Sequence, residues 1–398
     1  DYTATQQMVL ADIPWKGQTR KVLMQAPKNG FFFILDRASG ELLSAEPYVP
    51  VNWASHYDLA TGRPAENPAA RYVDAPYRVR PSGLGGHNWH SMAYNPDTGL
   101  MYIPALDFAA PMEQEEEYSW FEGHWNLGYK TEHSPFGRLL TQALLSRMLD
   151  SYLLAWDPVA QREVWRAPNP DVGGGGVLST GGGLVFQGNA DNAFVAYDAL
   201  SGEALWSFDT QHGIIAAPIS YRLDGRQYVT VMAGQGGGYS MMMGIARLPS
   251  TPKRRVLTFA LDGDGLLPAF ELPPGRVKPP ATVADDAAIA RGGQAYTRFC
   301  ARCHGAGVVS DGSVPDLRKL DNHWYAQFDA VVMGGLMENA GMPRFDDVLT
   351  PAQSAEIKAY VLDRAMDEWE LQQDAAWWLS VKTWCAELLA AFLMLFIE

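Results

Sequence analysis

The residues best suited to chemistry are Cys300-Ala301-Arg302-Cys303-His304. C-x-x-C-H is the attachment signature of c-type haem. Two thiols at this spacing can add to the two vinyl groups of one porphyrin. The adjoining His304 is then held against the iron as an axial ligand. Two rival chemistries use the same residue types. A redox dithiol expects a βαβ context, which the flanking sequence lacks. A zinc site needs a second ligand pair, and Cys385 is the only other cysteine. The sixth ligand of a haem iron should come from downstream, where Met333, Met337, Met342, Met366 and His323 are candidates. Met342 is favoured, because Gly341-Met342-Pro343 reads as a loop in which Pro fixes the backbone and the side chain turns inward. Met333 and Met337 lie four apart and read as the buried side of a helix. A His/Met pair raises the iron's potential, which suits accepting electrons rather than activating oxygen.

Helices should present this motif. Residues 288–299 are expected to form a lead-in helix. A second is marked by Thr350 as cap, Pro351 in the first turn and Gln353 closing a capping box, with Ile357, Tyr360 and Val361 as its inner face. The cytochrome-like domain is predicted over 288–368, and an apolar helical tail over 369–398. The tail is interrupted by Lys382 and Glu387, and its longest uncharged run, Leu388 to Ile397, is too short for the roughly 20 residues a bilayer demands. It is expected to be an amphipathic helix that docks on protein or on a membrane surface. Upstream, Leu272-Pro273-Pro274-Gly275 and Lys278-Pro279-Pro280 predict a stiff linker over 273–287.

Residues 1–272 repeat. A small residue, any residue and an Asp lead through a turn to an aromatic eight positions after the Asp. Asp157 leads to Trp165, Asp198 to Trp206 and Asp262 to Phe270, with weaker copies at Asp36 and Asp97. The 41-residue step from Asp157 to Asp198 is a β-propeller blade period. The runs 21–25, 31–35, 184–187 and 228–232 read as strands, and 139–149 as partly helical. The fold class expected is mainly β, with four to five propeller units that could close a small ring, followed by a small all-α domain. On the repeats alone, a small propeller that only binds partners fits as well.

Composition bounds the function. The chain has 398 residues, enough for two or three domains. Its net charge of −14 argues against a nucleic-acid backbone as partner, and three cysteines exclude a disulfide-dense scaffold. Glycine at 38 and tryptophan at 13 favour turn-rich β structure. The run Glu113-Gln114-Glu115-Glu116-Glu117 reads as a solvated loop.

A propeller, a Pro-rich linker and a haem c domain, in that order, resemble the quinohaemoprotein alcohol dehydrogenases, the soluble type II enzymes and the large subunit of the type III enzymes. The stretches that carry the resemblance are Asp1-Tyr2-Thr3, Ala26-Pro27-Lys28-Asn29-Gly30-Phe31-Phe32, Val49-Pro50-Val51-Asn52-Trp53-Ala54-Ser55, His87-Asn88-Trp89-His90, Leu184-Val185-Phe186-Gln187-Gly188 and Gly341-Met342-Pro343. The family fold is an eight-bladed propeller holding pyrroloquinoline quinone (PQQ) and Ca²⁺. The resemblance implies that this chain is the last half of that ring plus the cytochrome c domain. In relatives an adjacent-cysteine disulfide ring, a Trp beneath the quinone and a Glu and an Asn that bind Ca²⁺ lie upstream of the position matching Asp1. The stretches 172–176 and Gly234-Gln235-Gly236-Gly237 depart from the Trp-containing sequences many relatives carry.

Carried over residue by residue, the resemblance implies that Asp1 is the catalytic carboxylate and a Ca²⁺ ligand. Thr3 stands where lanthanide-using relatives have a second Asp. Lys28 would hydrogen-bond the quinone oxygens, and Asn88 with Trp89 would contact PQQ. Cys300 and Cys303 would tether the haem and His304 and Met342 ligate its iron. The expected activity is oxidation of primary alcohols to aldehydes. Electrons would pass through the haem to a small copper or cytochrome protein or to ubiquinone, in a periplasmic setting, with a membrane-surface contact through residues 374–398. The chain alone is expected to hold haem and to be inactive or very weak as a dehydrogenase. The alternative is an electron-transfer module in which the propeller is a docking platform without quinone chemistry. Other alcohol-like substrates, such as polyvinyl alcohol or sugars, fit the same family.

Overall fold

In a computed structural model, residues 2–118, 120, 126–130, 140, 143, 144, 147–169, 173–234, 254–268, 278–310, 314–374 and 376–395 are described. The chain divides into two compact units, residues 1–114, 148–235 and 253–270 in one and 115–147, 236–252 and 271–398 in the other.

The first unit is all β. Strands β1 (Val9–Trp15), β2 (Gln18–Gln25), β3 (Phe31–Asp36) and β4 (Leu42–Pro47) form a four-stranded antiparallel meander. Two short pairs follow, β5 (Ala54–Asp58) with β6 (Arg63–Glu66), and β7 (Tyr77–Val79) with β10 (Ala110–Met112). The second four-stranded sheet joins β8 (Ala93–Asn95), β9 (Leu100–Asp107), β11 (Asp150–Asp157) and β12 (Arg162–Pro168). The third is a meander of β13 (Gly174–Ser179), β14 (Leu184–Asn189), β15 (Ala193–Asp198) and β16 (Ala204–Asp209). A three-stranded sheet of β17 (Ile219–Leu223), β18 (Arg226–Ala233) and β19 (Arg255–Phe259) ends the series. The four strand runs read from β-branched and aromatic residues fall in β2, β3, β14 and β18.

Successive sheets pack face to face, as alternation along their strands requires. Ile13, Met24, Phe32 and Ile34 of the first sheet meet Met101, Ile103, Tyr152 and Trp156 of the second. Tyr102, Leu153 and Trp165 of the second meet Val177, Val185, Val195 and Tyr197 of the third. Phe194 meets Val229, Val231 and Leu257 of the fourth.

The sequence repeat has a physical cause. Three of the repeat Asp residues end a strand and use the carboxylate to accept the backbone N–H groups two and three positions on, whereas Asp262 lies three residues beyond β19 and pairs with Arg226. Asp36 accepts from Ala38 and Ser39, Asp157 from Val159 and Ala160, and Asp198 from Leu200 and Ser201. In each case a β-bulge lies one or two residues before the Asp, at Ile34/Leu35, Ala155/Trp156 and Ala196/Tyr197. The aromatic then returns on the next strand: Trp165 pairs with Ala155 and donates its indole N–H to the Ala199 carbonyl of the third sheet at 3.2 Å. The copy assigned to Asp97 needs correction. There the turn is closed by Asn95, whose Oδ1 accepts from Asp97 and Thr98, because an amide oxygen serves an Asx turn as well as a carboxylate does. Phe270, Gln235 and Gly236-Gly237 lie outside the described residues.

The second unit is helical around one core. Helix α1 (Asp286–Phe299) is capped by Asp285, and α2 (Ala301–His304) continues from it across Cys300. Short helices α3 (Asn322–Ala326) and α4 (Phe328–Val332) precede α5 (Pro351–Gln373). The Thr350/Gln353 capping box is formed in both directions. Ile357, Tyr360 and Val361 are buried with Tyr296, Tyr325, Phe328 and Phe345. Gly292 allows α1 to cross α5 closely, since a Cβ there would collide with the Glu356 carbonyl. Helix α5 runs on to Gln373, past the end of the domain expected near 368, because Ala365 and Glu368 keep its buried face going. Helix α6 (Ala376–Met394) follows. Its Ala386, Ala390, Leu393 and Met394 pack with Leu140, Ala143 and Leu144, and Glu387 pairs with Arg147 at 2.9 Å. Among the described residues no helix is long and apolar enough to cross a membrane.

Candidate functional site

The C-x-x-C-H motif sits where α1 ends. Cys300 is buried and Cys303 exposed, and neither is in a disulfide. Burial pushes the Cys300 thiol up to about 12. A redox dithiol needs the opposite, a thiol pulled down toward neutrality, so that rival chemistry does not suit this pair. His304 is 6 % exposed and its Nδ1 lies 3.1 Å from the Pro315 carbonyl. A carbonyl can only accept, so Nδ1 carries the proton and donates it. The lone pair is then on Nε2, the atom a metal needs. Burial lowers the His304 pKa and keeps the ring neutral, with the Pro315 bond opposing. Two free thiols, an oriented neutral imidazole and an apolar surround of Tyr296, Val308, Phe345 and Leu349 fit a covalently attached haem. Bound there, haem supplies a one-electron carrier.

Met342 is half-buried and packs against the same apolar cluster as Cys300. It follows Gly341, whose φ of 91° turns the chain back on itself. Met333 also reaches that cluster, from the end of α4, whereas His323 is exposed.

The residues matched to a quinone site gather at one place in the first unit. Lys28 lies in the turn between β2 and β3, and its carbonyl accepts from the Gly86 N–H at 2.9 Å. A Cβ on Gly85 would come within 2.5 Å of the Lys28 side chain, so only glycine lets the two segments touch. Burial lowers the Lys28 pKa. Asn88 is oriented by donating to the Leu84 carbonyl at 2.8 Å, and Trp89, half exposed, stacks on His90 at 4.4 Å. Tyr2 donates to the Pro81 carbonyl at 2.7 Å and packs on Trp53, whose indole N–H donates to the Asn29 carbonyl. Asp1, of which the catalytic and Ca²⁺ roles are expected, lies outside the described residues. Among the described residues no cluster of His, Cys, Asp and Glu could hold a metal ion. The described acids thus do not by themselves make a Ca²⁺ site. A lysine at the edge of water beside an oriented amide does suit an anionic, carbonyl-bearing ligand. A separate cleft of about 720 Å³ runs along β1, β8 and β13. Neither Lys28, Asn88 nor Trp89 lines it.

Two supports were not read from the sequence. His87 is fully buried, with ring nitrogens 2.8 and 2.7 Å from the Ala26 and His90 carbonyls, and so ties the Lys28 turn to the Asn88-Trp89 loop. Gln6 donates to the His87 carbonyl at 3.0 Å. The second is an ion cluster of Asp316, Arg318 and Glu368 behind His304. Its signal was available: Glu368 falls on the apolar stripe of Ile357, Val361 and Ala365, where a lone acid announces a buried partner.

Comparison with known proteins agrees with this arrangement of a propeller and a haem-type helical unit. Residues 157–229 match the family described as glucose/ethanol/alcohol dehydrogenase, beta-propeller domain. Residues 287–361 match cytochrome C oxidase, cbb3-type, subunit III. The quinohemoprotein alcohol dehydrogenase ADH IIB of Pseudomonas putida is 44% identical over 94% of this chain and 54% of its own length. The 1-butanol dehydrogenase (cytochrome c) of Thauera butanivorans is 39% identical over 92% and 52%. The solved structure of ADHIIG from Pseudomonas putida HK5 superposes with a TM-score of 0.83 at 41% identity, covering 96% of this chain and 56% of that one. Over more than nine-tenths of its length the chain is similar to the quinohaemoprotein alcohol dehydrogenases. It spans about half the length of the relatives it matches.

Proposed function

We propose that the chain takes part in PQQ-dependent oxidation of primary alcohols to aldehydes, with electrons leaving singly through haem c. One observation carries the reading: a dehydrogenase-type propeller and a His304 prepared for iron by its Nδ1 bond stand on the same chain. When bound, PQQ would supply hydride acceptance from the alcohol carbon. Lys28 would hold a cation beside the quinone oxygens, and its partial burial would strengthen that contact. Asn88 and Trp89 would orient the ring system. Asp1 would take the alcohol proton as general base and reach Ca²⁺. Cys300 and Cys303 would tether the haem, while His304 and Met342 ligate its iron.

The finer readings belong here too. Residues 1–272 would be half of an eight-bladed ring, 273–287 a linker, 288–368 the cytochrome c domain and 369–398 a tail. The acceptor would be a small copper or cytochrome protein or ubiquinone, and the compartment the periplasm. The outward side of α6, with Trp377, Trp384, Leu388 and Phe392 exposed, supports contact of the tail with an apolar surface such as a membrane.

The test is optical. The chain, matured in a host that attaches c-type haem, should show a haem band reducible by dithionite. Addition of PQQ, Ca²⁺ and ethanol to the oxidised protein should then reduce the haem if the propeller residues present suffice. Reduction by dithionite alone would leave a fragment of the enzyme or an electron-transfer module, and adding the half of the propeller that relatives carry upstream would decide between them. A chain without covalent haem would overturn both readings.

A further inference from the structure

We propose that Asp316, Arg318 and Glu368 form a positioning clamp that fixes the His304 ring and sets the reduction potential of the iron it ligates. The proposal rests on the reading of His304 as a haem ligand. Pro315 gives the carbonyl that receives the His304 Nδ1–H, and Asp316 is the next residue. Both Asp316 oxygens are gripped by Arg318, Oδ1 by Nε at 3.0 Å and Oδ2 by Nη2 at 2.7 Å. Oδ1 also accepts the Arg318 backbone N–H at 3.1 Å. The remaining guanidinium nitrogen, Nη1, donates to Glu368 Oε2 on α5 at 3.0 Å, and Gln372 donates to Glu368 Oε1 at 2.8 Å. Lys319 adds a second cation 3.2 Å from Asp316. Tyr325 donates to the Leu317 carbonyl at 2.8 Å. The segment that carries the Pro315 carbonyl is thus fastened to the long helix through one guanidinium.

The side chains of Arg318, Asp316 and Glu368 are 2 %, 6 % and 3 % exposed. Stability alone is a poor reason for such a cluster, because apolar residues of similar volume usually serve as well or better. Orientation is a better one, since a bidentate arginine fork fixes geometry as well as charge. The cluster holds two carboxylates against two cations, so it is close to neutral. At that burial solvent screens an imbalance only weakly, and the Pro315 carbonyl links the cluster to the ring that would ligate the iron. Ferric haem carries one more positive charge than ferrous haem. An excess positive charge behind His304 must therefore raise the potential, and an excess negative charge must lower it.

The experiment is a spectroelectrochemical titration of the haem-loaded chain and its variants, with low-temperature EPR of the ferric form. Glu368→Gln removes a negative charge and should move the midpoint upward. Arg318→Gln removes a positive charge and should move it downward. Arg318→Lys keeps the charge but loses the fork. Its midpoint should stay near that of the parent while the EPR signal broadens, as the ring samples more orientations. Should Arg318→Gln fail to fold, Lys319→Gln at the rim of the cluster removes a cation more gently and should also lower the midpoint. Shifts of one sign for all variants, or thermal destabilisation with unchanged midpoints, would leave the cluster a purely structural brace and overturn the proposal. Absence of haem from the unsubstituted chain would instead overturn the ligand reading itself, and is visible before any variant is made.

Discussion

Two thiols and an imidazole decide most of what can be said residue by residue. Cys303→Ser should still allow one thioether through Cys300. The haem would keep one unreacted vinyl group, which extends its conjugation, so the pyridine haemochrome band should move to the red of the parent's. An unshifted band would mean that Cys303 does not bond the porphyrin. A second expectation concerns His90, which burial holds down to about 3, against an ordinary value near 6.5. In the unfolded chain it would take up a proton below about 6.5, while in the folded chain it stays neutral until about 3. The stabilisation is therefore complete above about 6.5 and is lost as pH falls toward 3, at about 1.4 kcal/mol per pH unit. His90→Gln should flatten the acid limb of a urea-midpoint profile by that slope; an unchanged limb would show that His90 is not neutral in the fold. C-x-x-C-H was legible because covalent chemistry demands fixed spacing. The Pro315 carbonyl and Arg318 were not, because what they do depends on which segment the fold brings behind His304.

At the level of elements, the repeat was readable where side chains close their own turns. An Asp that caps a bulged hairpin needs only its next three residues, so Asp36, Asp157 and Asp198 marked their blades in the sequence. The second sheet was legible only at Asp157 after β11, since Asn95 closes its β8–β9 turn and a long excursion separates β9 from β11. Trp165 shows what the aromatic half of the motif contributes. It fills the space between the second and third sheets and bonds the Ala199 carbonyl. Trp165→Phe should lower stability by about 1–3 kcal/mol through the lost hydrogen bond and the cavity left behind. Chemical denaturation followed by tryptophan fluorescence would check it, and a loss under about 0.5 kcal/mol would deny the docking role. Gly292→Ala is the corresponding test in the helical unit. The new methyl has backbone rather than a flexible side chain in its way, so α1 and α5 must separate. A loss of about 2 kcal/mol or more is expected in thermal unfolding of the helical unit.

For the molecule as a whole, the informative surface is the outer face of β17–β19. The inner face is core, with Val229, Val231 and Leu257 buried. An antiparallel sheet with one wet face should alternate apolar and polar residues. Here Ile219, Tyr221, Leu223, Met232 and Val256 share the other face and are 59 %, 40 %, 58 %, 63 % and 68 % exposed. Thr230 and Thr258, bonded to each other at 2.9 Å, are among the few polar groups there. Such a patch is what a covering partner would meet, and without one it should associate with itself. Met232 and Val256 are cross-strand neighbours, so Met232→Lys combined with Val256→Glu places opposite charges side by side instead of a repulsion. Because both side chains already face water, the pair should change unfolding stability by no more than about 0.5 kcal/mol. It should nonetheless shift sedimentation-velocity profiles of the parent from larger species toward monomer. A large fall in stability without that shift would mean that this face is already covered within the folded chain, and that its apolar residues belong to the core rather than to an interface.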